Sequence, residues 1–294
     1  MRTNIFRGLG VAVVTPFNTD GNIDYYALRE IIENILQEGG ADFLCVLGTT
    51  AETPTLTDGE RELVMETFVD AVDGRVPLLL GCGGNNTRAV CNYLESANLD
   101  GFDGVLIVAP YYNKPTQEGL YQHYVAVADA SPLPVVLYNV PGRTGVNLSA
   151  ATTIRIAEDC ENVVAIKEAS GILPQIDAII SGAPDGFEVI SGDDGLTYPL
   201  LSLGATGLIS VVGNAFPTEM AQLVHDALDG NYDAALDTHR RFREINRLSF
   251  IDGNPAGVKA MLSHMELCQN VLRLPLVPVS ESTEAAIVEA LASF

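Results

Sequence analysis

A chain of 294 residues, 47% of them apolar, can bury one large core, or a core with a small appendage, so one main domain is the default expectation. Its formal net charge of −22, without an extended basic run, argues against the clustered cationic face that nucleic acid demands. No apolar run nears the roughly 20 residues of a membrane span, the opening MRTNIFRG carries no apolar export stretch, and five cysteines without a C-x-x-C pair suit a reducing cytoplasm.

In chain order, apolar runs rich in Val, Ile and Leu predict strands at 9–15, 43–47, 76–80, 105–108, 135–138, 163–166, 187–190 and 207–212. Between them, amphipathic stretches with start signals predict helices, for example 24–38, 57–72 behind a T-D-G-E opening, 116–128 and 217–228. Strands apolar on both faces imply a parallel sheet covered by helices, and eight βα repeats favour an α/β fold of the closed (β/α)8 TIM-barrel class. An open doubly wound sheet is the alternative. Its dinucleotide fingerprint is missing, however: the glycine cluster at 81–86 lacks G-x-G-x-x-G spacing and reads as a tight βα turn. After Gly230 the pattern is helical only, at 232–249, 255–267 and 281–293, with D-G-N-P and a 275–278 loop as breaks. The expected organisation is a barrel over 1–230 followed by a C-terminal helical domain over 231–294.

Reactive groups in such barrels gather at the carboxyl ends of strands. The second predicted strand ends in G-T-T-A-E (48–52), the fourth in P-Y-Y-N-K (110–114), the fifth in Y-N-V-P-G-R-T-G (138–145), and the sixth runs into Lys167-Glu168. The seventh and eighth end in S-G-D-D (191–194) and Gly213-Asn214.

There are only three lysines, Lys114, Lys167 and Lys259. Lys167 follows V-V-A-I directly, and burial without a partner disfavours the ammonium form. A neutral amine attacks a ketone to form a Schiff base, which serves as an electron sink. The alternative is a salt bridge from Lys167 to Glu168, Asp193 or Asp194.

Tyr138 ends the neighbouring strand and could exchange protons with atoms bound to Lys167, or be a plain structural tyrosine. Thr49 and Thr50 offer hydroxyls and N–H groups suited to a carboxylate, or to turn and cap chemistry. Arg143 could clamp a carboxylate bidentately, or form a loop ion pair on an acidic surface. The four histidines are dispersed on helical stretches without ligand spacing, so no metal is expected. Asp193 and Asp194 fit helix capping better than a cation site.

Taken together and in order, G-T-T-A-E, P-Y-Y-N-K-P, Y-N-V-P-G-R-T-G, V-A-I-K-E-A-S and S-G-D-D resemble the dihydrodipicolinate synthase family of the pyruvate-dependent aldolases, over nearly the whole chain. The resemblance implies a Schiff base between pyruvate and Lys167, with no cofactor. Tyr138 is then the proton donor and acceptor, with Thr49 and Tyr112 as the other members of its relay. Thr50 and the Ile209 backbone hold the pyruvate carboxylate, and Arg143 receives that of aspartate 4-semialdehyde.

In this family the tyrosine matching Tyr112 comes from a neighbouring subunit, which implies a homotetramer built as a dimer of dimers. Sister aldolases acting on neutral polyol aldehydes share the lysine and tyrosine but generally lack the arginine. A non-catalytic sensor on the same barrel would be expected to lose the lysine or the tyrosine. Two departures stand out: Ala51 replaces the family's usual glycine, and N-P-A-G-V-K (254–259) loosens the usual N-P-x-P-V-K, neither being expected to touch the chemistry. Lysine-inhibited relatives bind lysine at the dimer interface. Asn85 and Tyr111 match that site, but Ala89 falls where those relatives have a glutamate, so lysine feedback is not expected.

Overall fold

The structure, a computed structural model, describes residues 5–294; the first four residues of the expected barrel domain lie outside the described residues. Eight parallel strands, β1 (Gly8–Ala12), β2 (Phe43–Val46), β3 (Leu78–Gly83), β4 (Gly104–Val108), β5 (Val135–Asn139), β6 (Val163–Glu168), β7 (Glu188–Ser191) and β8 (Gly207–Ser210), close in sequential order. The register that closes the ring sets Gly10 of β1 opposite Ile209 of β8. This settles the choice left open by the apolar pattern: the sheet is a closed barrel, not an open doubly wound one.

Helices α1 (Tyr25–Ile35), α2 (Asp58–Val72), α3 (Thr87–Ser96), α4 (Gln117–Ala130), α5 (Pro141–Thr144), α6 (Ala150–Asp159), α7 (Leu173–Gly182), α8 (Thr197–Leu203) and α9 (Pro217–Leu228) lie between or after the strands. Their starts carry the expected chemistry. Asp24, Asn86, Thr116 and Ser149 each accept a backbone N–H from the first turn of their helix, and Thr57 with Glu60 completes a reciprocal capping box. Beyond α9 come α10 (Tyr232–Arg241), α11 (Arg243–Phe250), α12 (Ala256–His264) and α13 (Glu281–Leu291). The single helix expected over 232–249 is thus two, broken at Phe242, whose fully buried ring packs edge-on to Phe216 with centroids 5.2 Å apart. None of the described helices is long and apolar enough to cross a membrane.

Two apolar clusters hold the barrel. The larger lies between the outer strand faces and the helices. The smaller fills the barrel interior and includes Phe43, Cys45, Leu106, Val136, Ala165 and Ile209. Close approach inside the ring requires glycine at particular points: a Cβ on Gly81 would fall 2.4 Å from the Leu47 carbonyl oxygen. The cluster expected to be a turn therefore begins as strand, with β3 continuing through Gly83. Strand β6 likewise extends beyond its predicted end at 166, so Lys167 and Glu168 belong to the ladder and are held by hydrogen-bonded neighbours on both sides.

Candidate active site

The register sets Tyr138 directly beside Lys167, and both side chains face the barrel interior with Ala165, Ile190 and Ile209. Lys167 is only 6% exposed, and its Nζ lies 4.5 Å from the centroid of the Tyr138 ring. Among the described residues Lys167 forms no ion pair, because the three carboxylates that could claim it are engaged elsewhere. Glu168 points to the opposite face of β6, as strand alternation dictates, and accepts hydrogen bonds from Asn139, Ser170 and Gln175. Asp194 is fully buried against the end of β8, accepting from the Ser210 hydroxyl and the N–H groups of Val211 and Val212. Burial pushes its carboxyl up to about 6, against the pull of those donors. Asp193 accepts the Gly195 N–H. The salt-bridge alternative for Lys167 is therefore not what the chain adopts.

Room for the lysine comes from the S-G-D-D turn after β7. A Cβ on Gly192 would lie 3.0 Å from Lys167 Cε and 2.8 Å from the Ala169 Cβ, so any larger residue would press on the amine's stem. Burial raises the thiol of Cys45, in the same interior cluster as Tyr138, to about 11 against the opposing influence of Lys167, which keeps it a neutral, apolar wall of the barrel interior.

The G-T-T-A-E loop after β2 is a short 3-10 turn, Thr49–Ala51, closed by Glu52 in the left-handed region at φ 54°. Thr49 is half-buried and Thr50 buried. The Thr15 hydroxyl donates to the Ala51 carbonyl of this loop at 2.8 Å, and further anchors lie more than 200 residues away: the Asn254 amide donates to Thr50 Oγ1 at 2.9 Å, and Lys259 Nζ meets Glu52 Oε1 at 2.5 Å with both side chains fully buried. The Arg273 N–H donates to the other Glu52 oxygen at 3.0 Å, and Lys259 also donates to the Val271 carbonyl at 2.9 Å. The N-P-A-G-V-K segment, expected to stand apart from the chemistry, thus grips the loop that carries Thr49 and Thr50. Sequence spacing hides this, although a buried lysine and a glutamate next to the strand-end threonines were the available signals.

Arg143 sits exposed on the four-residue helix α5 and has no ion pair among the described residues, which removes the loop-ion-pair alternative. Lys114, the third lysine, lies across the same loop, its Cε 3.2 Å from where a Cβ on Gly145 would be. Two unpaired cations in a protein of net charge −22 make this mouth a place for anions. Tyr112 stands apart from the enclosed pair at 87% exposed, and its φ of 72° is strained for an aromatic residue. A costly conformation that presents a large aromatic ring to solvent is one that a partner surface can use.

The arrangement is a buried amine beside a phenol among apolar side chains, with the hydroxyl-bearing turn after β2 and the exposed guanidinium of α5 following strand ends on the same, carboxyl side of the barrel. Residues 5–293 match the model described as the dihydrodipicolinate synthetase family. The 4-hydroxy-tetrahydrodipicolinate synthase of Phocaeicola vulgatus is 56% identical over 277 residues, covering 94% of this chain and 93% of the relative. A crystal structure of the dihydrodipicolinate synthase of Thermotoga maritima superposes with a TM-score of 0.95 at 44% identity, covering 99% of both chains. The chloride-inhibited enzyme of Acinetobacter baumannii, complexed with pyruvate, gives 0.94 at 39% identity and covers 98% of both. The chain belongs to the dihydrodipicolinate synthase family.

Proposed function

We propose that this chain condenses pyruvate with L-aspartate 4-semialdehyde to give 4-hydroxy-tetrahydrodipicolinate, on the route to diaminopimelate and lysine. The observation that carries the reading is the pairing of Tyr138 with a buried Lys167 that no carboxylate claims. Lys167 Nζ attacks the keto carbon of pyruvate and water leaves, with Tyr138 passing the protons. The resulting iminium draws electrons from the methyl group, whose deprotonation gives an enamine. The enamine carbon attacks the aldehyde of the second substrate, and that substrate's amino group then displaces Lys167 as the ring closes. The imine is itself the electron sink, so the reaction needs no cofactor and no metal.

Thr50 and the Ile209 backbone hold the pyruvate carboxylate, and Thr49 joins Tyr138 in the relay. Tyr112 completes that relay in the site of a neighbouring subunit, which accounts for its exposure and strain. The working assembly is then a homotetramer of paired dimers in the cytoplasm. Pyruvate is the ligand named for the Acinetobacter baumannii relative.

The second substrate is what separates this reading from the sister aldolases, and Arg143 is its test. A charge-assisted, bidentate hydrogen bond from a guanidinium to a carboxylate is worth about 1.5–3 kcal/mol, so Arg143→Ala should raise KM for aspartate semialdehyde on the order of 10- to 100-fold. Pyruvate imine formation should be unchanged. Parallel assays with N-acetylmannosamine and glyceraldehyde should show little turnover in either form. Unchanged semialdehyde kinetics in Arg143→Ala would remove the assignment.

A further inference from the structure

We propose that Glu168 is a positioning residue for Arg143, setting the semialdehyde-binding loop from the reverse side of the strands that carry Lys167 and Tyr138. The inference rests on the assignment of Arg143 to the semialdehyde carboxylate.

In the ladder, Asn139 pairs with Glu168 as Tyr138 pairs with Lys167. Strand alternation therefore sends the first pair outward and the second inward, so the catalytic pair and the polar pair share two strands back to back. Asn139 and Glu168 are both fully buried. The Asn139 amide nitrogen lies 3.2 and 3.1 Å from the two Glu168 oxygens and 2.8 Å from Asn147 Oδ1, while Asn139 Oδ1 accepts the Leu148 N–H at 2.9 Å. Gln175 of α7 donates to Glu168 Oε2, to Asn147 Oδ1 at 3.2 Å and to the Leu148 carbonyl at 3.2 Å, and accepts from the Asn147 amide at 2.7 Å. Gln117 of α4 adds a bond to the Asn147 carbonyl at 2.7 Å.

The long-range anchors of the stretch just after Gly145 thus converge on Asn147 and Leu148, four and five residues beyond Arg143. Lys167 and Tyr138 do not depend on these bonds, because the barrel ladder holds their backbone on both sides. The Arg143 turn has no ladder: beside the helical bonds of α5 it is tied across the chain by the Tyr112 N–H donating to the Thr144 carbonyl at 3.2 Å, and its return toward the barrel is set by the Asn147 and Leu148 anchors.

A carboxylate is required at 168 because only donors face it. Ser170 N–H (2.8 Å), Asn139 and Gln175 supply them, and among the described residues no cation accompanies them. Burial raises this carboxyl above its ordinary range while the three donors pull it down. An amide in its place would turn an N–H₂ toward one of those donors, leaving buried polar groups unpaired.

The test is a double-mutant cycle on the full-length enzyme, with kcat and KM for both substrates and the borohydride-trapped pyruvate adduct as readouts. Glu168→Gln should raise KM for the semialdehyde about tenfold, equivalent to about 1.4 kcal/mol, with pyruvate KM and trapping within about twofold. In an Arg143→Ala background the same change should add less than about twofold, since its route runs through the guanidinium. A purely structural role would act equally in both backgrounds or raise both KM values together, and either result overturns the proposal.

If Glu168→Gln does not fold, Gln175→Met carries the same cycle, with an expected effect of about threefold that vanishes beside Arg143→Ala. A wild type that traps no pyruvate would overturn the functional reading and this inference with it. Additive variants in an otherwise active enzyme would overturn this inference alone.

Discussion

Replacing Lys167 with alanine is expected to lower turnover by about a thousandfold or more, because the residue that forms the covalent intermediate has no substitute in the pocket. The other lysines cannot stand in. Lys259 is locked to Glu52 in a fully buried pair, and Lys114 lies on the outer loop. Fold and stability should be nearly intact, since Lys167 makes no ion pair among the described residues and its removal leaves no buried charge behind. The check is kcat for pyruvate plus aspartate semialdehyde, alongside a thermal melt. Residual activity within about tenfold of wild type would mean that the amine does not carry the chemistry.

The second large effect concerns stability. Lys259→Met removes one half of a buried pair and leaves Glu52 charged where water cannot reach it, an arrangement that costs about 3–5 kcal/mol. For a chain of this length that corresponds to a fall in Tm on the order of 10 °C. Burial already holds the Lys259 ammonium below its ordinary range, with Glu52 pulling it back up, so the charged lysine depends on its partner. The double change Glu52→Gln with Lys259→Met should regain most of the loss, because an amide in place of the carboxylate still accepts the Arg273 N–H. A single variant that melts within about 2 °C of wild type would show that the pair is not desolvated in solution. Both forms should also have a weakened pyruvate KM, since Glu52 closes the turn that presents Thr49 and Thr50.

The contrast between these two lysines explains what could be seen in the sequence and what could not. Both follow apolar residues, and although the expected elements differ, a strand end for Lys167 and a helix for Lys259, neither V-A-I-K-E nor A-G-V-K-A says which lysine is paired. The distinction is made by partners far away in the chain, Glu52 for one and none for the other. Strands and their order were legible because burial on both faces writes an unbroken apolar run, and Lys167 and Tyr138 could be placed side by side once sequential closure was assumed.

Strand ends were less legible. The ladder carries β6 through two charged-type residues, and β3 through glycines that resemble a turn, because pairing with neighbours outweighs local composition there. The break at Phe242 was invisible for a similar reason, since its buried ring is set by tertiary packing and not by helix propensity. Within the site, Thr49, Thr50 and Arg143 stood out as polar strand-end residues. Asn254 and Gly192 did not: one acts from a distant helix start, and the other acts by lacking a side chain.

The central claim is that Lys167 forms an imine with pyruvate, and trapping tests it most directly. Borohydride reduction of the enzyme with pyruvate, followed by peptide mass analysis, should place one reduced pyruvyl adduct on the peptide holding Lys167 and none on those holding Lys114 or Lys259. An unmodified Lys167 peptide, or an adduct on another lysine, would contradict the account.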